Sequence, residues 1–219
     1  MEIIPLSEIR EITTTTVAGM SDHDRDEMAI PSYLHANPLI RWLMWRRYET
    51  IANMLDEVDG STAFEFGCGM GLFLPELNER FDRVFATDLF PDYADALNRR
   101  RGLDTQFVPN VGAVADHSLD VIIAADVLEH ITDLPVYLAE FALKLKAGGR
   151  LIVSGPTESR LYQLGRVVAG FGDKGDYHHT NIDRLIADIG ARGFRGARQK
   201  RLPFAFAPAL FKICEFIKP

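Results

Sequence analysis

The chain has 219 residues, of which 47% are hydrophobic and 25% are charged. This length and balance are typical of one soluble globular domain, and they exclude a fibrous or an intrinsically disordered chain. The net charge of −7 argues against nucleic-acid binding, because nucleic-acid binders present a basic face to the phosphates. Two short basic clusters, at residues 99–101 and 192–201, are predicted to be solvated surface.

The two cysteines, Cys68 and Cys214, are far apart and predict neither a disulfide framework nor a metal site. The first residues lack a basic stretch followed by an apolar one, so no signal peptide is expected. No apolar run approaches the roughly 20 residues that a membrane span needs. We therefore expect a cytoplasmic protein without stable membrane insertion.

Residues 1–36 are predicted to be a peripheral segment. Residues 13–16 and 21–27 are polar and show no sustained helical period. Such a segment is either disordered or a lid that becomes ordered over a ligand. Residues 37–219 are predicted to form one domain.

Helical and extended patterns alternate after this segment. Apolar residues recur at helical spacing after Asn37, which can cap a helix, and Pro38, which suits the first turn. This first helix is expected to end near Asp59. The pattern then predicts strands at residues 62–66, 83–87, 105–109, 119–125 and 150–154, and helices at 72–80, 92–101, 134–146 and 181–192.

This alternation, with fully apolar strands, predicts an α/β fold with a Rossmann-like, doubly wound sheet. Residues 194–202 and 210–217 both resemble strands, and the short connection between them forces antiparallel pairing. We therefore expect a mostly parallel, seven-stranded sheet with a C-terminal antiparallel hairpin. Apolar side chains of residues 203–217 are expected in the core of the hairpin, the alternative being contact with an apolar acceptor or a membrane surface.

A glycine-rich segment follows the first predicted strand and precedes a helix. Residues 65–71, hereafter the glycine loop, have the sequence EFGCGMG. Glycines permit positive φ angles and let a ligand approach the backbone. Alone, the loop is weak evidence for a ligand site, and its alternative role is an ordinary tight turn between strand and helix.

Asp88 ends the next predicted strand, about 20 residues beyond the glycine loop. A carboxylate at this point can accept hydrogen bonds from both hydroxyls of a ribose. Its alternative role is the N-cap of the helix at Pro91. Strand placement and spacing favour the ribose role.

The spacing of the glycines separates two classes of cofactor. Gly67, Gly69 and Gly71 give G-x-G-x-G, whereas the nicotinamide fingerprint is G-x-G-x-x-G and seats a pyrophosphate. Glu65 precedes them, and its carboxylate is unfavourable beside a pyrophosphate but favourable beside a sulfonium and an ammonium group. The loop therefore favours a sulfonium cofactor over a dinucleotide.

On these residues the chain resembles the class I S-adenosylmethionine-dependent methyltransferases, and within them the ubiquinone-biosynthesis-like branch that acts on small molecules. The resemblance covers about residues 39–218 and rests on EFGCGMG at 65–71, Asp88, LDVIIAADVLEH at 119–130 and LKAGGRLIV at 145–153. It implies S-adenosyl-L-methionine as the cofactor and a small molecule as the methyl acceptor.

The resemblance implies that the glycine loop binds the methionine part of the cofactor. Glu65 would anchor this part, directly or through water. The loop contacts would come from Gly67, Cys68, Gly69 and Gly71. Residues 146–149 would form the turn before the fifth strand.

Further implied contacts lie after the second, third and fourth strands. Asp88 would bind the ribose and Leu89 would flank the adenine, while Asp126 and Val127 would lie beside the methionine moiety and the methyl group. The family often has an acid after the third strand that binds the adenine amino group. Residues 108–113 contain none, so the side-chain oxygen of Asn110 is the expected substitute.

Methyl transfer is an in-line displacement in which much of the rate comes from orientation. A base is needed only when the acceptor loses a proton, and histidines are candidates because their pKa lies near the working pH. His130 follows a parallel strand, whereas His178 and His179 follow a long glycine-rich connection. Each is alternatively a structural or helix-capping histidine, and no metal-ligand cluster stands out.

Three rival functions are considered. The glycine spacing argues against an NAD-dependent oxidoreductase, and the acidic charge argues against a nucleic-acid methyltransferase. A non-catalytic S-adenosylmethionine-binding protein stays open, because a binding loop can persist without its chemistry. The acceptor atom stays open too, and both a monomer and a homodimer are compatible with the sequence.

Overall fold

A computed structural model describes residues 1–16, 21, 28–157, 159, 162–163, 180–205 and 208–219. Within these residues, one sheet contains β1 Thr62–Phe66, β2 Arg83–Thr87, β3 Thr105–Phe107, β4 Leu119–Ala125, β5 Leu145–Pro156, β6 Arg195–Leu202 and β7 Phe211–Ile217. The helices are α1 Leu6–Thr15, α2 Ile30–Tyr33, α3 Pro38–Leu55, α4 Leu74–Arg80, α5 Asp92–Arg101, α6 Leu134–Lys144 and α7 Ile182–Ala191. Two 3₁₀ turns lie at Val111–Ala113 and Leu128–His130.

The strand order is β3-β2-β1-β4-β5-β7-β6. Strands β1 to β5 are parallel, and β7 pairs antiparallel with both β5 and β6. The predicted fold class is confirmed, including the C-terminal hairpin. Parallel strands end at one edge of the sheet, so the loops after β1, β2 and β4 are brought together there.

Helices cover both faces of the sheet, as the apolar strands require. Successive residues of β4 point to opposite faces: Ile123 lies in a cluster with residues of α3 and α4, whereas Ile122 lies in a cluster with residues of α6 and α7. All five residues of β1 are buried. The strands that carry the site are therefore fixed from both sides.

Helix α3 begins as predicted. The Asn37 side chain accepts a hydrogen bond from Leu39 N at 2.9 Å, and Pro38 occupies the first turn. The helix ends at Leu55 rather than near Asp59, because Val58 N bonds to Leu55 O in a turn that leads into β1.

The predicted turn at residues 146–149 is wrong, because these residues lie inside β5. Leu145 pairs with Leu119 and Arg150 pairs with Val121, with an irregular register between the two pairs. The preceding helix consequently ends at Lys144 instead of residue 146. Pairing with β4 is a non-local contact, which a local sequence pattern does not contain.

The sequence pattern predicts no helix at residues 13–16. This prediction is wrong, because α1 extends to Thr15. The hydroxyls of Thr13, Thr14 and Thr15 each bond to the carbonyl four residues earlier, at 2.8–2.9 Å. These bonds satisfy the polar side chains within the helix. Buried Ile9 and Ile12 fix the helix against the domain.

The solvated role predicted for the basic clusters holds for some members and is wrong for others. Arg99 is exposed, as expected. Arg100 is exposed as well, although it pairs with Glu11. Arg101 and Arg198 are only partly exposed, and they pair with Glu8 of the N-terminal segment and with Glu215 of β7. The arginines that face a neighbouring helix or strand thus form ion pairs with it.

Core packing of residues 203–217 is confirmed for the strand but not for the loop before it. Phe211 and Phe216 are buried, whereas Phe204 is 49% exposed and contacts the Trp42 ring at a centroid distance of 6.4 Å. Both cysteines, Cys68 and Cys214, are buried and free. In the described part of the chain, no helix combines the length and the apolarity that crossing a bilayer requires.

Candidate active site

The glycine loop leaves β1 with three glycines in the left-handed region: the φ angles of Gly67, Gly69 and Gly71 are 72°, 54° and 72°. A Cβ on Gly67 would lie 2.4 Å from the Val127 side chain, and one on Gly71 would lie 3.0 Å from the Ala94 backbone. A Cβ on Gly69 would meet no described atom within 4 Å. Packing therefore requires Gly67 and Gly71, whereas Gly69 borders open space that a ligand can enter.

The carboxylate of Asp88 joins the loop after β2 to the glycine loop. Its Oδ2 accepts a hydrogen bond from Gly69 N at 2.7 Å, and its Oδ1 accepts one from Phe90 N at 3.0 Å. Each carboxylate oxygen retains a lone pair for a ligand hydroxyl. Asp88 is not the N-cap of α5, because that position is Pro91 and has no side-chain cap.

Three other amides of the loop are also bonded within the protein. Gly67 N and Cys68 N donate to Thr87 O at 2.9 and 3.1 Å, and Gly71 N donates to Cys68 O at 2.8 Å. With Gly69 N committed as well, these amides do not form the free N–H nest that binds a phosphate. The loop geometry therefore disfavours a pyrophosphate ligand.

Glu65 is a buried carboxylate near the carboxyl end of β1, only 1% exposed. Its Oε2 has no hydrogen-bond partner among the described residues. Burial, and after it the nearby Asp88 carboxylate, raises the pKa of Glu65 well above its usual value. Burying an ionised carboxylate without a partner costs free energy, and a cationic group of a ligand bound beside Glu65 would lower that cost.

Cys68 presents its backbone rather than its thiol to the site. The side chain is 2% exposed and packs in the core with Phe73 and Leu74. Burial raises the pKa of the thiol well above its usual value, which excludes a reactive thiolate.

Arg47 of α3 is a buried cation at this edge of the sheet, and the sequence interpretation missed it. Its guanidinium forms an ion pair with Asp126 and donates to the Tyr33 hydroxyl at 3.4 Å. It also lies 4.9 Å from the centroid of the Phe211 ring, within cation–π range. The residue is 6% exposed, so its charge acts where water screens little.

The sequence did contain a signal for Arg47. It lies three residues after Met44 and four before Ile51, on the buried stripe of the helix. A cation at an apolar position is the informative exception, because Arg is almost never fully buried without a partner.

Asp126 follows β4 in a left-handed conformation, with φ at 53°. Its N–H donates to Ser154 O at 3.1 Å, and the Ser154 hydroxyl donates to its Oδ1 at 3.0 Å. Asp tolerates this conformation better than most residues, and the bonds from β5 hold it there. The next residue, Val127, closes against Gly67, so the ends of β1, β4 and β5 are tied together.

Leu89 and Asn110 lie on the loops after β2 and β3, at the same edge. Leu89 is 89% exposed, the most exposed of the large apolar side chains described. Asn110 is exposed in extended backbone and precedes a 3₁₀ turn, with its carbonyl bonded to Ala113 N at 3.2 Å. Both side chains are therefore accessible to a ligand that extends from Asp88.

Of the candidate bases, the structure describes only His130. It closes the 3₁₀ turn after β4, with its N–H bonded to Val127 O at 3.1 Å, and it is partly exposed at the edge that carries Asp126. His178 and His179 lie outside the described residues. Among the described residues, no group of three or more His, Cys, Asp or Glu side chains is placed to hold a metal ion.

Comparison with known proteins agrees with this geometry. A family described as "Methyltransferase domain" matches residues 44–197, well over half of the chain. The chain belongs to this methyltransferase domain family. The family resemblance inferred from the motifs is thereby confirmed.

Curated relatives support the same assignment. The chain is 29% identical over 119 residues to a malonyl-[acyl-carrier protein] O-methyltransferase of Serratia marcescens, covering 53% of the chain and 47% of that relative. It is 30% identical over 145 residues to a ubiquinone biosynthesis O-methyltransferase of Idiomarina loihiensis, covering 60% of the chain and 59% of that relative. The chain thus spans about half the length of these methyltransferases.

Solved structures share the fold. The N-methyltransferase NodS from Bradyrhizobium japonicum WM9, in complex with S-adenosyl-L-homocysteine, superposes with a TM-score of 0.66 at 17% identity. The match covers 97% of this chain and 98% of that structure. At this identity the likeness supports the fold alone.

Proposed function

We propose that this methyltransferase family member is an S-adenosyl-L-methionine-dependent enzyme that methylates a small molecule. The observation that carries the proposal is the charge pattern at this edge of the sheet, where the carboxylates of Glu65, Asp88 and Asp126 lie with the buried cation Arg47. S-adenosylmethionine presents a sulfonium, an ammonium, a carboxylate and a ribose. The set of charges on the protein is complementary to these groups.

The residues present fit this cofactor. Glu65 and Asp126 would bind the ammonium, and Arg47 would bind the carboxylate, since a guanidinium matches a carboxylate in two hydrogen bonds. Asp88 would accept from the ribose hydroxyls. The accessible Leu89 and Asn110 would flank the adenine, and the open side of Gly69 would admit the chain between ribose and methionine.

When bound, the cofactor would supply an activated methyl group for transfer to a lone pair of the acceptor, with the electrons of the broken carbon–sulfur bond remaining on sulfur. The protein contributes orientation and exclusion of water. A proton lost by the acceptor would pass to His130, or to His178 or His179. Residues 37–219 would carry this machinery, with residues 1–36 as an accessory segment.

We further propose an oxygen acceptor, because both curated relatives described above are named O-methyltransferases. The acceptor would be a small molecule rather than a nucleic acid, given the net charge of −7.

Calorimetry with S-adenosylmethionine, S-adenosylhomocysteine and NAD tests the cofactor. We expect the first two to bind at one site and NAD not to bind. Glu65→Ala and Asp88→Ala should each weaken binding about 10- to 100-fold, the range for a lost hydrogen bond to a charged group. Glu79→Ala, which removes an exposed carboxylate of α4, is the control. Binding of NAD alone, or no loss in either variant, would overturn the assignment.

A further inference from the structure

Helix α1 is docked on α5 by paired charges. Arg101 donates from Nε and Nη2 to the two carboxylate oxygens of Glu8 at 2.9 and 2.7 Å, and from Nη1 to Glu2 at 2.9 Å. Arg100 donates to both oxygens of Glu11 at 2.7 and 2.9 Å. These two-pronged pairs fix orientation as well as distance.

The neighbouring Arg99 is different. Its side chain is 73% exposed and pairs with Asp95, four residues earlier on the same helix. One run of three arginines therefore contains two residues that hold α1 and one that faces solvent. A charge change at Arg99 is therefore a control for the same charge change at Arg101.

Beneath the charges, α1 buries an apolar face. Ile4, Ile9 and Ile12 are 1%, 2% and 5% exposed. They belong to one cluster with Met70 and Leu72. Met70 lies between Gly69 and Gly71 of the glycine loop, so the N-terminal segment and the segment that is proposed to bind the methionine part of the cofactor share one apolar cluster.

The same cluster includes Tyr93 and Leu97 of α5, which are 1% and 0% exposed. Helix α5 begins four residues after Asp88, and the Asp88 carboxylate holds Gly69 N. Helix α1 therefore contacts α5 and shares an apolar cluster with Met70 of the glycine loop, the two segments that the proposed cofactor site joins. No contact between α1 and the cofactor itself is needed for α1 to influence the site.

We propose that α1 is a brace for the cofactor site, and that Glu8 and Arg101 are positioning residues for cofactor binding that act through Met70, Leu72 and α5. This inference rests on the proposed function. A lid is held closed by contacts with its ligand, whereas the ion pairs and apolar contacts that dock this helix are made within the chain. Its role is to keep the glycine loop in the binding-competent arrangement.

Arg101→Glu tests the brace by placing a carboxylate against Glu2 and Glu8. If α1 is then docked in about a tenth of the molecules, the apparent Kd for S-adenosylhomocysteine rises about tenfold, because apparent affinity scales with the competent fraction. Arg99→Glu makes the same change of charge and should leave the Kd unchanged. Calorimetry on the full chain measures both, and circular dichroism verifies that each variant is folded.

Three further measurements separate positioning from stability. Exchanging the partners in Glu8→Arg with Arg101→Glu should recover most of the lost affinity. For the unaltered protein, the Kd should rise between about 0.1 M and about 1 M KCl, as the Debye length falls from about 10 Å to about 3 Å. If activity is assayed, the KM for the cofactor should change more than kcat.

The outcomes distinguish the two proposals. If the unaltered protein binds S-adenosylhomocysteine and Arg101→Glu lowers the Tm without changing the Kd, α1 only stabilises the fold and the brace is refuted. The same conclusion follows if Arg99→Glu weakens binding as much as Arg101→Glu. If the unaltered protein does not bind the cofactor product, the proposed function fails and the brace fails with it.

Discussion

Two glutamates in the sheet are almost equally buried but have opposite surroundings. Glu65 in β1 is 1% exposed and Glu215 in β7 is 0% exposed. Glu215 is paired on both oxygens, by Arg150 and by Arg198. Although burial acts to raise its pKa, the hydrogen bonds from Arg198 and Arg150 outweigh this and lower it.

Among the residues that the structure describes, none pairs with Glu65 in this way. It lies near the carboxyl edge of the sheet with an unsatisfied Oε2, and its pKa is raised. The comparison separates a carboxylate that completes the fold from one whose charge is left for a ligand. Burial alone does not tell the two apart, but the pairing with arginine, which the structure shows for Glu215 and not for Glu65, does.

The largest expected effect is the loss of stability when Glu215, the paired glutamate, is replaced. Glu215→Ala leaves two guanidinium groups that are mostly buried without their carboxylate, and we expect it to destabilise the protein by about 3 kcal/mol. Urea unfolding followed by circular dichroism measures this change. Glu57→Ala removes an exposed partner of Arg198 and should cost at most about 0.5 kcal/mol. Equal losses in the two variants would contradict the distinction.

Arg47→Lys should weaken S-adenosylhomocysteine binding about tenfold, because lysine keeps the charge but loses the fork that matches a carboxylate. The same substitution should leave the affinity for 5′-methylthioadenosine, which lacks the amino-acid part, nearly unchanged. Arg46→Lys is the control, since that side chain is 43% exposed and pairs with Glu49. A parallel loss of both ligands would show that Arg47 supports the pocket rather than the carboxylate.

Glu65→Gln should separate stability from binding. The amide removes a buried carboxylate that lacks a cation, so the free energy of unfolding should stay the same or rise by about 1 kcal/mol. Cofactor affinity should fall about tenfold, because the charge that attracts the ammonium is lost. Thermal unfolding and calorimetry on one preparation measure both quantities. A destabilised variant with full affinity would reverse the roles assigned to Glu65 and Glu215.

The smallest expected effect is in the pH dependence of stability, where the two glutamates act on opposite sides of 4.5, the ordinary pKa. The folded-state pKa of Glu215 is lowered, so its contribution is present above 4.5 and is lost as the pH falls through that lowered value. The folded-state pKa of Glu65 is raised, so stability falls as the pH rises above 4.5, until the raised value is passed.

Each slope is at most about 1.4 kcal/mol per pH unit. Unfolding measured across this pH range, in the unaltered protein and in Glu65→Gln and Glu215→Gln, should show differences confined to opposite sides of 4.5. A difference on the same side for both variants would mean that one of the two pKa directions is wrong.

Much of the fold was predictable because its signals are local. The buried strand Leu119–Ala125 and the capped start at Asn37 depend on apolar runs and on capping chemistry. Sequence reasoning went wrong where a distant partner decides the structure. The β5 extension depends on pairing with β4, and α1 depends on docking against α5.

The site was predictable in part for the same reason. Glu65, the glycine loop and Asp88 follow strands at recognisable spacing, and the structure brings them together. Arg47 was missed because its signal is a single cation on the apolar stripe of a helix outside the family motifs quoted. Only the folded chain shows that Arg47 meets Asp126, 79 residues away in sequence.

The bond between Glu11 and Arg100 spans 89 residues, and that between Glu8 and Arg101 spans 93. Closing so long a loop costs conformational entropy before the contacts between its ends can form and stabilise the chain. Such contacts therefore slow folding. During refolding, the local β–α units should therefore form before α1 finds its place. Cofactor-binding competence should consequently appear as a late kinetic phase, after the helical and strand signals have already recovered.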